Sequence, residues 1–150
     1  MASLKDLRVL KLARNEIKRI EGIDSIVQLE NLDLSFNQIS HIGSLWNNLR
    51  LKALNLSNNK ISNYSLAITH LERLGDLLQN KNLEEIDLRN NQIETISNAH
   101  ECLPDSVCSL YIGSNLLSDI LSPLYLIFPE KLDDVDFGNN PFIHHLREYQ

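Results

Sequence analysis

Cysteine, proline and glycine are all scarce in this chain of 150 residues, at two, four and five respectively. Two cysteines, Cys102 and Cys108, cannot form a disulfide framework. Both are expected to be free thiols in a reducing compartment. So little glycine and proline excludes collagen-like and low-complexity chains. Long apolar runs are missing too. The longest, Leu124-Tyr125-Leu126-Ile127-Phe128, falls far short of a bilayer span. The start, Met1-Ala2-Ser3-Leu4-Lys5-Asp6, lacks the apolar stretch of a secretory signal, so a cytoplasmic setting is expected. There is no excess of positive charge. The formal net charge is -6, which argues against direct nucleic-acid binding, because that affinity comes from Lys and Arg neutralising phosphates.

What the chain does contain is leucine, isoleucine and asparagine: 28, 15 and 17 residues, against only 4 Val. The 23 % charged and 43 % hydrophobic residues suit a folded chain. Its length is that of one domain, able to bury about two-thirds of its unfolded surface.

These residues are not scattered. The frame L-x-x-L-x-L-x-x-N-x-[IL] can be laid on the chain six times. It reads Leu7, Leu10, Leu12, Asn15, Ile17, then Leu29, Leu32, Leu34, Asn37, Ile39, then Leu51, Leu54, Leu56, Asn59, Ile61. It continues with Leu83, Ile86, Leu88, Asn91, Ile93, then Val107, Leu110, Ile112, Asn115, Leu117, and ends on Leu132, Val135, Phe137, Asn140, Phe142. The starts are separated by 22, 22, 32, 24 and 25 residues. A leucine-rich helical protein is the competing reading. The fixed Asn in every repeat argues against it, since Asn is a poor helix former.

Within the frame, x-L-x-L-x alternates with period 2 and predicts a short strand with one apolar face. A single repeat cannot cover that face, whereas stacked repeats can. The Asn falls where the chain leaves the strand, and its amide can donate to and accept from backbone groups of the bend and the next repeat. Six such Asn predict an internal ladder. On this reading Asn91→Ala costs about 1–3 kcal/mol and Leu88→Ala about 2–5 kcal/mol. Ile17, Ile20, Ile23 and Ile26 recur every three residues, which suits a 3₁₀-type turn as well as a helix on the convex side. The expected fold class is α/β: a solenoid with a parallel concave sheet of about six strands and convex 3₁₀ or helical segments. A helical insertion is expected at 64–80, where Ile68, Leu71, Leu74 and Leu78 have helical spacing.

The run Asn15-x-Ile17-x-x-Ile20-x-Gly22-Ile23-x-x-Ile26-x-x-Leu29 resembles the 22-residue class of leucine-rich repeat. That class occurs in a regulatory subunit of protein phosphatase-1, an axonemal dynein light chain, a ribonucleoprotein component, and centrosomal and ciliary proteins. The resemblance covers nearly the whole chain. It implies an intracellular, non-enzymatic adaptor that binds another protein on its concave face. The cytoskeleton, centrosome or cilium are the implied locations, with the nucleus as the alternative. A phosphatase regulator and a ribonucleoprotein adaptor are the rival readings. Asn139-Asn140-Pro141 followed by Leu146-Arg147-Glu148-Tyr149 is similar to the closing repeat and cap of this class. The chain stops where that helix would begin, so residues 1–150 are expected to be one domain of a longer protein. Repeats start at about 7, 29, 51, 83, 107 and 132.

If the strands stack in register, side chains facing away from the core form columns. The central column reads Lys11, Asp33, Asn55, Asp87, Tyr111, Asp136. The one before it reads Val9, Asn31, Ala53, Glu85, Ser109, Asp134. Two more, nearer the Asn, read Ala13, Ser35, Ser57, Arg89, Gly113, Gly138 and Arg14, Phe36, Asn58, Asn90, Ser114, Asn139. The first repeat is basic at Lys11 and Arg14. The later ones are acidic at Asp33, Glu85, Asp87, Asp134 and Asp136, which suits a partner with a basic surface. Tyr111 and Phe36 offer the aromatic area typical of interface hot spots. Trp46 is expected in the core. The candidate binding residues are therefore Lys11, Arg14, Asp33, Phe36, Asn55, Glu85, Asp87, Arg89, Tyr111, Asp134 and Asp136.

No catalytic or cofactor motif accompanies them. The five His are scattered, no Cys/His spacing reads as a zinc site, and there is no phosphate-binding glycine loop or nucleophile elbow. Neither enzymatic activity, a cofactor, a metal nor a membrane is expected.

Overall fold

The computed structural model describes residues 4–43, 45–62, 75–96, 103–118 and 131–143. Each frame produces one three-residue strand: β1 (Val9–Lys11), β2 (Asn31–Asp33), β3 (Ala53–Asn55), β4 (Glu85–Asp87), β5 (Ser109–Tyr111) and β6 (Asp134–Asp136). They form one six-stranded parallel sheet in sequence order. A short 3₁₀ turn, Leu4–Asp6, precedes β1.

The period-2 pattern sets the register. Leu10 pairs with Leu32, Leu32 with Leu54, Leu54 with Ile86, Ile86 with Leu110 and Leu110 with Val135. A slip of one residue would turn every one of these side chains to solvent. The 32-residue spacing between the third and fourth frames leaves the register intact: Ala53, Leu54 and Asn55 still pair with Glu85, Ile86 and Asp87. Behind the sheet, the frame residues of repeats two to five join Ile20, Ile23, Ile26, Ile42 and Leu45 in one continuous core.

The asparagine ladder exists. The Asn37 amide donates to the carbonyls of Leu12, Leu34 and Ser35, and its Oδ1 accepts the Ile17 N–H. Asn59 repeats this one turn on, donating to Leu34, Leu56 and Ser57 and accepting from Ile39. Asn91, Asn115 and Asn140 continue it. Each of these five rungs satisfies buried backbone groups of two neighbouring repeats, which water cannot reach.

On the convex side the chain turns by i→i+3 hydrogen bonds. Ile26 N–H donates to Ile23 C=O and Leu29 N–H to Ile26 C=O, and the same pair recurs at Leu45–Asn48–Leu51 and Leu77–Asn80–Leu83. The three-residue spacing of isoleucines is thus a succession of tight turns. A second ladder ties these turns together. The Asn48 amide donates to the carbonyls of Ile23 and Ile26, and the Asn80 amide to those of Leu45 and Asn48. Both Asn are fully buried. Of the expected insertion at 64–80, only the part from 75 lies within the described residues. There α1 (Gly75–Leu78) turns Leu77 into the core, leaving Leu78 half-buried. Trp46 is not in the core. It is 52 % exposed, because its neighbour Leu45 takes the inward position of the turn.

Every repeat bends after its strand through a left-handed residue. Arg14, Phe36, Asn58, Asn90, Ser114 and Asn139 have φ between 55° and 59°. Asn tolerates this conformation and most side chains do not. Ser114→Asn is therefore expected to stabilise the fold by about 0.5–1 kcal/mol. A higher thermal midpoint than the parent chain would confirm it, and a lower one would contradict it.

Candidate functional site: the concave sheet face

The observed pairing places the expected columns side by side. Val9 lies opposite Asn31, Asn31 opposite Ala53, Ala53 opposite Glu85, Glu85 opposite Ser109 and Ser109 opposite Asp134. The central column from Lys11 to Asp136 is in the same register. Over the first four strands the face forms an open groove of about 350 Å³, lined by residues that include Val9, Lys11, Asn31, Asp33, Asn55 and Glu85.

The central column has a structural task that its composition conceals. Asp33 Oδ1 accepts the Ser35 N–H and hydroxyl, and Asn55 Oδ1 does the same for Ser57. Asp87 Oδ1 accepts the Arg89 N–H and Asp136 Oδ1 the Gly138 N–H. These are Asx turns, in which a side chain caps the backbone two residues on. They fold the chain into the left-handed bend. Ser35 and Ser57 are consequently buried, so the column running through them is not the exposed surface expected from the alternation. The Asp136 carboxylate also explains Gly113. A Cβ there would lie 2.8 Å from Asp136 Oδ2.

Asp87 is only 5 % exposed, and Arg89 covers it. The guanidinium binds both carboxylate oxygens, at 3.0 and 2.7 Å, and that hydrogen bonding raises the already high Arg89 pKa. The same guanidinium lies 5.1 Å from the centre of the Tyr111 ring. Tyr111 in turn donates its hydroxyl to Asp134 Oδ2 at 2.7 Å, which pushes its phenol pKa up. Asp87, Arg89, Tyr111 and Asp134 thus form one linked cluster across β4 to β6. At the other end, the Arg14 guanidinium sits 4.5 Å from the Phe36 ring centre. Phe36 is 45 % exposed. Lys11 and Glu85 stand exposed on the strands.

All eleven candidate residues therefore lie on this face or its edge, but they divide in two. Asp33, Asn55, Asp87 and Asp136 are engaged in holding the bend. Lys11, Arg14, Phe36, Glu85, Arg89, Tyr111 and Asp134 present atoms to solvent. A charge ladder that the column pattern did not suggest runs one residue before the strands. Glu30 binds Arg8 at 3.1 Å and Lys52 at 2.9 Å. The signal was the recurrence of opposite charges at 22-residue spacing.

The Lys52 hydrogen bond holds the Glu30 carboxyl below its ordinary value. A lowered folded-state pKa stabilises at neutral pH, and the stabilisation is lost as pH falls through that value. Glu30→Gln is expected to narrow the difference in urea midpoint between about pH 7 and about pH 3. An unchanged difference would show that this ladder contributes nothing.

Among the described residues no group of His, Cys, Asp and Glu could hold a metal ion. No described helix is long and apolar enough to cross a membrane. Cys108 is a free, half-buried thiol. Cys102 and the expected cap around Tyr149 lie outside the described residues.

No curated protein matches the chain. The Leucine Rich Repeat family model matches residues 28–49, 50–72 and 82–105, which hold the second, third and fourth frames. Among solved structures, internalin C2 from Listeria monocytogenes is 26 % identical with a TM-score of 0.57. The match covers 91 % of this chain and 64 % of that one. A leucine-rich repeat protein of Leptospira interrogans is 23 % identical with a TM-score of 0.68, over 91 % of this chain and 32 % of that one, a likeness of fold. The chain thus spans less than two thirds of either relative. Six frames, an asparagine ladder, a parallel solenoid and three matched repeats make this chain a leucine-rich repeat protein.

Proposed function

We propose that this protein is a non-enzymatic scaffold that binds a protein partner on its concave sheet face. The observation that carries this is an open six-stranded face where solvent-facing aromatics, each stacked by an arginine, stand beside exposed charge. Rigid aromatics and arginines are the side chains that dominate binding energy in interfaces. Leucine-rich repeats serve in general as protein-interaction modules, and an open face that does not exclude water is poorly suited to catalysis. The exposed acids Glu85 and Asp134 favour a partner with a basic surface. The resemblance of the first repeats to the 22-residue class of leucine-rich repeat favours an adaptor of cytoskeletal, centrosomal or ciliary machinery, and with it a cytoplasmic location.

The test uses Glu85→Lys/Asp134→Lys, which reverses exposed charge and spares the Asx turns. Proteins captured by the parent chain should bind this variant at least about tenfold more weakly, with the far-ultraviolet circular dichroism unchanged. Equal capture by the variant, with loss on Trp46→Glu instead, would move the site to the convex side.

A further inference from the structure

Between the bend of the second repeat and β4, the concave face changes character twice. At the bend lies a corner that is both apolar and cationic. Phe36 is 45 % exposed and carries the Arg14 guanidinium against its ring. Among the described residues no carboxylate pairs with Arg14, although Arg8, Arg19, Lys52 and Arg89 each have one. A stacked guanidinium still offers N–H donors in a planar fork that matches a carboxylate. The corner is also strained. Arg14 and Phe36 sit in the left-handed region, at φ 59° and 55°, where the same column has Asn at 58, 90 and 139. Bulky side chains are poor there, and such strain collects at binding sites.

Next comes a neutral stretch on the second and third repeats, with Asn31 and Asn55 on the strands and Asn58 at the bend. The side-chain amides of Asn31 and Asn58 make no hydrogen bond among the described residues, and Asn55 uses only its Oδ1. The backbone of these strands is bonded within the sheet. These idle amides are therefore the neutral polar groups that a ligand meets. An extended peptide needs such partners for its backbone, whereas a helix bonds its own. Beyond them Glu85 stands exposed on β4, and no cation pairs with it among the described residues.

We propose that this groove binds an extended segment of the partner protein that is acidic at one end and basic at the other. Its carboxylate meets Arg14, and an apolar side chain beside that carboxylate covers Phe36. Its backbone bonds the amides of Asn31, Asn55 and Asn58, and a Lys or Arg reaches Glu85. Phe36 and Glu85 are two strands apart and five residues out of row, a diagonal of about 15–20 Å. About five or six residues of extended chain span it. The inference rests on the scaffold reading and sharpens it, because a uniformly basic partner satisfies Glu85 but is repelled by Arg14.

Selection of random peptides of about twelve residues on the whole chain, twice the required span, tests this. Enriched peptides are expected to share an Asp or Glu next to an apolar residue, with a Lys or Arg about four to six positions away. Arg14→Glu should weaken a synthetic winner at least about tenfold. Changing the peptide's acid to Lys should restore binding to that variant and not to Glu85→Lys. Phe36→Asn, which places in this column the residue already found at 58, 90 and 139, should also weaken binding about tenfold with the circular dichroism unchanged. Basic winners that lose affinity on Glu85→Lys alone, and ignore Arg14→Glu and Phe36→Asn, would overturn this inference and leave the scaffold reading standing. So would winners that turn helical on binding. No enriched peptide, or winners indifferent to all three substitutions, would overturn both.

Discussion

Replacing Asn91 by alanine is expected to destabilise the chain by about 2–4 kcal/mol, more than its single lost side chain suggests. Asn91 donates to the carbonyls of Leu56, Leu88 and Arg89 and accepts the N–H of Ile61. The carbonyls keep other donors. Leu56 C=O is also bound by Asn59, Leu88 C=O by Asn115, and Arg89 C=O by the Asn58 N–H. Among the described residues the Ile61 N–H has no second acceptor, and Ile61 is fully buried. One orphaned buried donor costs about 1–3 kcal/mol, and the lost bonds add to that. The end rung provides the contrast. Asn15 is exposed and bonds only its own repeat, so Asn15→Ala should cost less than about 1 kcal/mol. Urea unfolding of both variants at equal m-values decides the matter. Equal costs would mean that the ladder does not join repeats.

The second large effect is expected at Leu88→Ala, at about 2–5 kcal/mol. Leu88 is 4 % exposed and follows β4, and the core residues around it belong to three successive repeats. The cavity cannot be filled by collapse, because the register of β3, β4 and β5 fixes the spacing of its walls. Stability in a solenoid is a sum of repeat and neighbour terms, so the loss should fall on the junctions on either side of the fourth repeat. Hydrogen exchange is the measurement. Amides of Leu56, Leu88 and Ile112 should lose protection more than those of Leu12. Uniform loss along the chain would contradict a nearest-neighbour account.

The strands, their order and the first ladder were legible because they follow from periodicity. A leucine at every second position and an asparagine at a fixed offset leave few ways to bury both. The left-handed bend was not legible. A single φ near 55° has no hydrophobic period, and Phe36 and Arg14 are poor residues for it. The only trace is the asparagine at 58, 90 and 139. In the sequence the acids look like free charge, because burial of Asp87 depends on where Arg89 lies, two residues on, after the chain has turned. Asp33-x-Ser35, Asn55-x-Ser57 and Asp136-x-Gly138 share a spacing that a turn would need, which could have shown their second role. The ladder of Asn48 and Asn80 was hidden by the insertion. The two residues stand 32 apart and align only when the third and fourth strands are superposed. Hydrophobicity alone predicts an inward Trp46, yet the turn geometry offers that position to Leu45.

The central claim is that the concave sheet face is the binding surface. Hydrogen exchange of the chain with and without a captured partner tests it most directly. The account predicts new protection confined to segments 9–14, 31–36, 53–58, 85–90, 109–114 and 134–139, the six strands with their bends. Protection centred on the convex turns around Trp46 and Leu49, with these six segments unchanged, would contradict it.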